Sequence, residues 1–169
     1  MYPLDLLDNS VARLLIAILF SKSKSLNTHR YERSDRDGTI FETQKKGHTR
    51  MDLKLKEKNV VITGGSKGIG RATALAMASE GANVAICARG KDPLQATSSE
   101  LAALGINVFS RSTDVANPEE LTAFLNESRE SLGSVDILIN NTSGFGMTDD
   151  ETGWKVSIDV DLMATVRAT

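Results

Sequence analysis

The run Asn59-Val60-Val61-Ile62-Thr63-Gly64-Gly65-Ser66-Lys67-Gly68-Ile69-Gly70-Arg71 constrains this chain more than any other stretch. Val60 to Ile62 is short, apolar and β-branched, as expected of a strand covered on both faces. Glycines follow at a turn, and an Ala-rich helix is predicted from Gly68 to about Glu80. Gly64 permits the tight reversal, Gly68 lets backbone approach an anion, and Gly70 lets the helix pack closely on the strand. Such a helix would aim its unpaired N–H groups and positive dipole end at the turn, an arrangement suited to the diphosphate of a dinucleotide. The plain alternative is a surface turn that happens to hold glycines. At average composition the T-G-x-x-x-G-x-G spacing arises by chance in roughly one of 300 chains this long.

Further along, apolar strand patterns alternate with helical ones. Strands are predicted at 59–63, 83–87, 106–110 and 135–140. Helices are predicted at 68–80, 92–104 (closed by Gly105) and 117–131, with a last one beginning near Asp149. Asn117 is the expected N-cap of the third helix, Pro118 its first residue, and Gly133 its end. Units of this length imply an α/β fold, a doubly wound parallel sheet of four strands in the order 3-2-1-4.

Thr63-Gly64-Gly65-Ser66-Lys67-Gly68-Ile69-Gly70 resembles the TGxxxGIG signature of the short-chain dehydrogenases/reductases, and is more specific than a general G-x-G-x-x-G fingerprint. Three more matches follow in order: Asp114-Val115 after the third strand, Val135-Asp136-Ile137-Leu138-Ile139-Asn140-Asn141 at the fourth, and Val160-Asp161-Leu162-Met163 in the last helix. The similarity runs from about Leu53 to Thr169, and members with similar strings, 3-oxoacyl-thioester reductases among them, act on 3-oxoacyl thioesters, sugars or secondary alcohols. It implies an incomplete Rossmann-like domain over 51–169 that binds a nicotinamide dinucleotide. The implied cofactor-binding residues are Thr63, Gly64, Ser66, Lys67, Gly68, Ile69, Gly70, Arg89, Asp114, Val115, Asn140 and Asn141. Asp114 would lie near the adenine with Val115 packed beside it, and Asn140 would either contact the cofactor or tie the sheet.

Charge bears on which dinucleotide. A site for NAD usually has Asp or Glu ending the second strand, where it bonds the ribose 2′-hydroxyl. Here Val84-Ala85-Ile86-Cys87-Ala88 leads into Arg89, which could fork onto a 2′-phosphate, with Lys67 as a second cation. The resemblance implies NADP rather than NAD; the alternative is two solvated cations in loops.

Two departures from the family pattern stand out. Thr142 and Ser143 replace the Ala and Gly that follow the paired Asn residues, and Gly144 comes one place later. Asp161 takes the place of an Asn whose backbone carbonyl serves a proton relay in the family; a relay role and a surface carboxylate are both open for it. Trp154 and Met163 read as packing residues.

The family's proton donor, a Tyr four residues before a Lys, has no counterpart here. Residues 51–169 contain no Tyr and no His. Tyr2 and Tyr31 are followed at the fourth position by Leu6 and Asp35, so neither begins Y-x-x-x-K. General-acid catalysis needs a titratable group in hydrogen-bond reach, and the chain as it stands is not expected to reduce a carbonyl. It reads either as the N-terminal part of an NADP-dependent short-chain oxidoreductase or as a non-catalytic module that binds a dinucleotide or complements a partner. An edge strand at 135–140 would leave it marginally stable and association-prone.

The 169 residues are 40% hydrophobic and 25% charged, enough for one core. Residues 1–50 hold nine Lys/Arg against six Asp/Glu, whereas 51–169 hold eleven against sixteen. An acidic globular part argues against nucleic acid as a partner. Val11 to Phe20 is too short to span a bilayer, and Asp5 and Asp8 suit neither a signal peptide nor a mitochondrial presequence. Residues 1–50 are expected to be a disordered or over-called extension, with Met51 as initiator. His29 and His48 lack companions at metal-ligand spacing, so no metal is expected. The single Cys87 suits a buried position in a reducing, cytoplasmic setting. Expected partners are a small-molecule substrate and, in a complete enzyme, further copies of the same chain.

Overall fold

The computed structural model describes residues 52–169. The expectations for the first fifty residues and for Met51 lie outside the described residues. Four strands form one parallel sheet: β1 (Asn59–Thr63), β2 (Asn83–Ala88), β3 (Val108–Ser112) and β4 (Ile137–Ile139). Their order is β3-β2-β1-β4, the doubly wound order read from the sequence. Three helices make the connections: α1 (Gly68–Ser79), α2 (Lys91–Ala102) and α3 (Pro118–Leu132). After β4 the chain enters α4 (Glu151–Ser157), a π-helical segment (Ile158–Met163) and α5 (Ala164–Ala168).

β1 and β2 are the buried centre, with Val60, Val61, Ile62, Val84, Ala85, Ile86 and Cys87 inaccessible to solvent. Because strand side chains alternate, Val61, Ala85 and Cys87 share one face. There they pack with Val115, Leu121, Phe124 and Ala164, and Phe109 stacks on Phe124 with ring centroids 6.3 Å apart. On the other face α1 and α2 cover the sheet with Ala74, Met77, Leu94 and Leu101. No helix among the described residues is long and apolar enough to cross a membrane.

The leading ends of the strands are held by a polar seam. Asn59 Nδ2 donates to Leu132 O and to Ser134 Oγ, and Asn83 Nδ2 donates to Asn59 Oδ1 at 2.9 Å. Asn83 Oδ1 in turn accepts from Asn107 N. Asp136 accepts from Asn59 N and from Lys58 Nζ, and those bonds, the backbone one foremost, hold its carboxyl below the usual carboxylate range. With one end of the sheet closed this way, the trailing ends are left for a ligand, as is general for open parallel sheets.

Three sequence expectations need correction. β3 begins at Val108 rather than 106, because its register follows its pairing with β2, Val84 against Val108. β4 is three residues long rather than six. Val135 is 40% exposed and Asp136 turns back to Asn59, while beyond Ile139 the backbone of Asn141 bonds the Thr63 side chain. Trp154 is not a packing residue: it is 61% exposed and its Nε1 donates to Asp149. Asn117 does cap α3, accepting from Glu119 N and Glu120 N, with Pro118 first in the helix.

Candidate functional site

Where β1 ends, the chain reverses at Gly64, whose φ of +71° is a conformation open chiefly to glycine. Gly65 N donates to Cys87 O at 3.0 Å, tying the turn to β2. A Cβ on Gly65 would stand 2.5 Å from Ile86 Cγ2, and one on Gly70 would stand 2.2 Å from Gly64 O. Both positions therefore exclude larger residues by contact. Gly68 differs, having φ +53° and nothing within 4 Å of where its Cβ would be. Its backbone faces open space.

The loop after β4 is fastened to this turn. Asn141 Nδ2 donates to Thr63 O and Gly64 O, each at 3.1 Å, and Asn141 N donates to Thr63 Oγ1 at 3.0 Å. Tying of β4 to the turn thus falls to Asn141; Asn140 is exposed and takes no part in it. Across the turn, the buried Thr97 hydroxyl of α2 is shared between Ser66 O and Pro93 O, both at 3.0 Å. This contact fixes the height of α2 against the glycine turn.

Between these walls lies a cavity of about 650 Å³. Ser66, Lys67, Gly68 and Ile69 form its floor, Arg89 and Gly90 one side, and Thr113, Asp114 and Val115 the next. Residues 141–145 with Val156 and Val160 complete it. Lys67 and Arg89 are exposed and have no acidic partner among the described residues. Arg71 and Arg111, by contrast, are ion-paired with Glu100 and Glu127. Asp114 is held in place twice, its Oδ1 accepting from Ala116 N and its N–H donating to Glu120.

Among helices α1 to α4, α1 alone has neither a side-chain cap nor an acidic residue in its first turn. Asp92 lies in the first turn of α2, whereas α3 and α4 have both an Asx cap and glutamate. The first N–H groups of α1 are thus uncompensated at the cavity floor. Beneath the turn, burial pushes the Cys87 thiol up to about 12, so it stays protonated and unreactive.

The predicted residues do not all converge. Ser66, Lys67, Gly68, Ile69, Arg89, Asp114, Val115, Asn141 and Gly64 border the cavity, whereas Thr63 and Gly70 do not line it. Asn140 does not border it. Asp161 lies on the π-helical segment and accepts from Gly144 N at 3.1 Å, so it anchors the loop rather than facing the cavity. Sequence reasoning passed over Gly65, Thr97 and the hydroxyl of Thr142. Gly65 was visible as a second glycine in the turn, but nothing local marks Thr97, whose partner is 31 residues away.

A family model described as short chain dehydrogenase matches residues 58–169. The chain is 38% identical over 113 residues to the 3-oxoacyl-acyl-carrier-protein reductase FabG of Staphylococcus epidermidis, covering 62% of this chain and 45% of that protein. It is also similar to the L-sorbose reductase of Gluconobacter frateurii, solved with NADPH and L-sorbose. That match has 34% identity and a TM-score of 0.60, over 67% of this chain and 45% of the reductase. An NADH-dependent reductase solved with NAD matches at 25% identity and a TM-score of 0.64, over 70% of this chain and 52% of that one. The chain spans about half the length of the curated relatives it matches.

Proposed function

The chain belongs to the short-chain dehydrogenase family, and from that we propose that it carries the dinucleotide-binding half of an NADP-dependent oxidoreductase acting on a carbonyl or secondary alcohol. The observation that carries this reading is the bare N-terminus of α1, opening without cap or carboxylate onto a cavity floored by Gly68. Gly68 leaves a cradle in which backbone N–H groups can meet a diphosphate without a side chain between them. The cavity is of the size that organic ligands occupy. A dinucleotide therefore fits the residues present.

When bound, the cofactor would supply the hydride. The residues of this chain would bind and orient it. Gly68 and Ile69 would hold the diphosphate at the start of α1, with Gly70 letting that helix close on the turn, and Asp114 with Val115 would border the adenine. Lys67 and Arg89 would bond a ribose 2′-phosphate, which is why NADP is preferred in this reading over NAD. Related reductases use either cofactor, so the two cations, unpaired among the described residues, carry that preference. The substrate is a small carbonyl compound or alcohol. The buried Cys87 favours a cytoplasmic setting, and exposed Trp154, Ile158, Leu162 and Val166 favour assembly with further copies.

Residues 51–169 contain no Tyr or His, so the role proposed for these residues is to bind the cofactor, without a proton donor among them. Calorimetric titration of the 169-residue protein is expected to show one NADPH per chain, NADH weaker by tenfold or more, and no NADPH oxidation with added ketones. Equal affinity for the two would remove the NADP assignment. No saturable binding of either would overturn the reading as a whole.

A further inference from the structure

Thr142 Oγ1 is, among the described residues, the one buried side-chain nitrogen or oxygen without a hydrogen-bond partner. Buried hydroxyls are nearly always satisfied, so the exception calls for an explanation. Its neighbours are already engaged. Asn141 Nδ2 donates to Thr63 O and Gly64 O, and Thr63 Oγ1 accepts from the backbone of both Asn141 and Thr142. The hydroxyl lies against the glycine turn, 3.0 Å from where a Cβ on Gly64 would be.

Thr142 also borders the cavity, beside Ser143 and Gly144. The residue therefore stands between a place where its hydroxyl has no partner and the cavity proposed to take a dinucleotide. A β-branched side chain presents a methyl and a hydroxyl from one carbon, and rotation about Cα–Cβ exchanges them between staggered positions. In the free protein valine would fill the same volume and leave no orphaned oxygen. The hydroxyl has no use until something enters the cavity.

We propose that Thr142 is a cofactor contact: on binding, its hydroxyl turns from the Gly64 side and donates to a diphosphate or adjoining ribose oxygen of the dinucleotide. This rests on the function proposed above. Bonds from a hydroxyl to an ionised phosphate are about twice as strong as neutral ones, and an acceptor there ends the unsatisfied state.

The test compares Thr142→Val and Thr142→Ser with the parent protein, using NADPH titration and thermal melting of the free protein. Thr142→Val is expected to raise the Kd for NADPH about fivefold to tenfold, ~1–1.4 kcal/mol, while its free form melts at the same temperature or higher. Thr142→Ser is expected to bind within about twofold of the parent. Equal affinity of the valine variant would overturn the proposal while leaving dinucleotide binding intact. So would a lower melting temperature in step with lost affinity, which would mark a structural role. If the parent itself does not bind NADPH, the proposed function fails and this contact fails with it.

Discussion

Replacing Lys67 and Arg89 together by Ala raises the Kd for NADPH about 10- to 100-fold and leaves that for NADH within about twofold. Each cation is exposed beside the cavity and has no acidic partner among the described residues. A hydrogen bond to an ionised partner contributes about 1.5–3 kcal/mol, and screening by water and salt keeps exposed sites at the lower end. Two such contacts reach one to two decades. NADH has no 2′-phosphate, so its affinity has little to lose. The free protein should melt as before, because neither side chain holds another element in place. Parallel losses for both dinucleotides would mean that the cations serve the shared diphosphate and do not select the cofactor.

Alanine at Gly68 and at Gly70 separates binding from stability. At Gly70 the new Cβ meets Gly64 O at 2.2 Å and Asn141 Nδ2 at 2.5 Å, and one contact is backbone that can yield only by shifting the turn. Forcing an extra methyl into packed structure costs about 1–3 kcal/mol, so Gly70→Ala should lower the melting temperature by several degrees and abolish NADPH binding with it. At Gly68 the Cβ meets nothing within 4 Å. Its cost to the fold is the left-handed backbone alone, about 1–2 kcal/mol. Its cost to binding is separate, because the methyl enters the approach to the phosphate: a tenfold or greater loss of affinity is expected. Paired titrations and melts check both. A Gly68→Ala variant that binds NADPH as well as the parent would show that the diphosphate does not meet backbone there.

The turn was legible in the sequence because its requirements are local. β-branched residues, glycines at fixed spacing and an Ala-rich run each report on their own neighbourhood, and so does Asn117-Pro118-Glu119-Glu120 at the start of α3. Sheet order followed from the alternation of elements. What escaped was set by distant partners. The ends of β3 depend on register against β2, and β4 is cut short by Asn59 and Thr63, more than 70 residues earlier. The last segment reads from the sequence as one helix beginning near Asp149, yet it contains a π-helical stretch at Ile158–Met163, with Asp161 of that stretch bonded to Gly144. Periodicity carries no trace of that bond. The division of labour between Asn140 and Asn141 was equally hidden, since two adjacent asparagines look alike until the direction of the strand assigns one to the turn.

The glycine turn and the β4 loop together are expected to grip a dinucleotide. Backbone amide shifts of the isotope-labelled protein, followed as NADPH is added, test it at the residues concerned. The largest changes are expected at Lys67 to Arg71 and at Asn141 to Gly144, with little change along the Asn59–Asn83–Asn107 seam at the other end of the sheet. Shifts confined to that seam or to α4 and α5, or none at saturating NADPH, would contradict it.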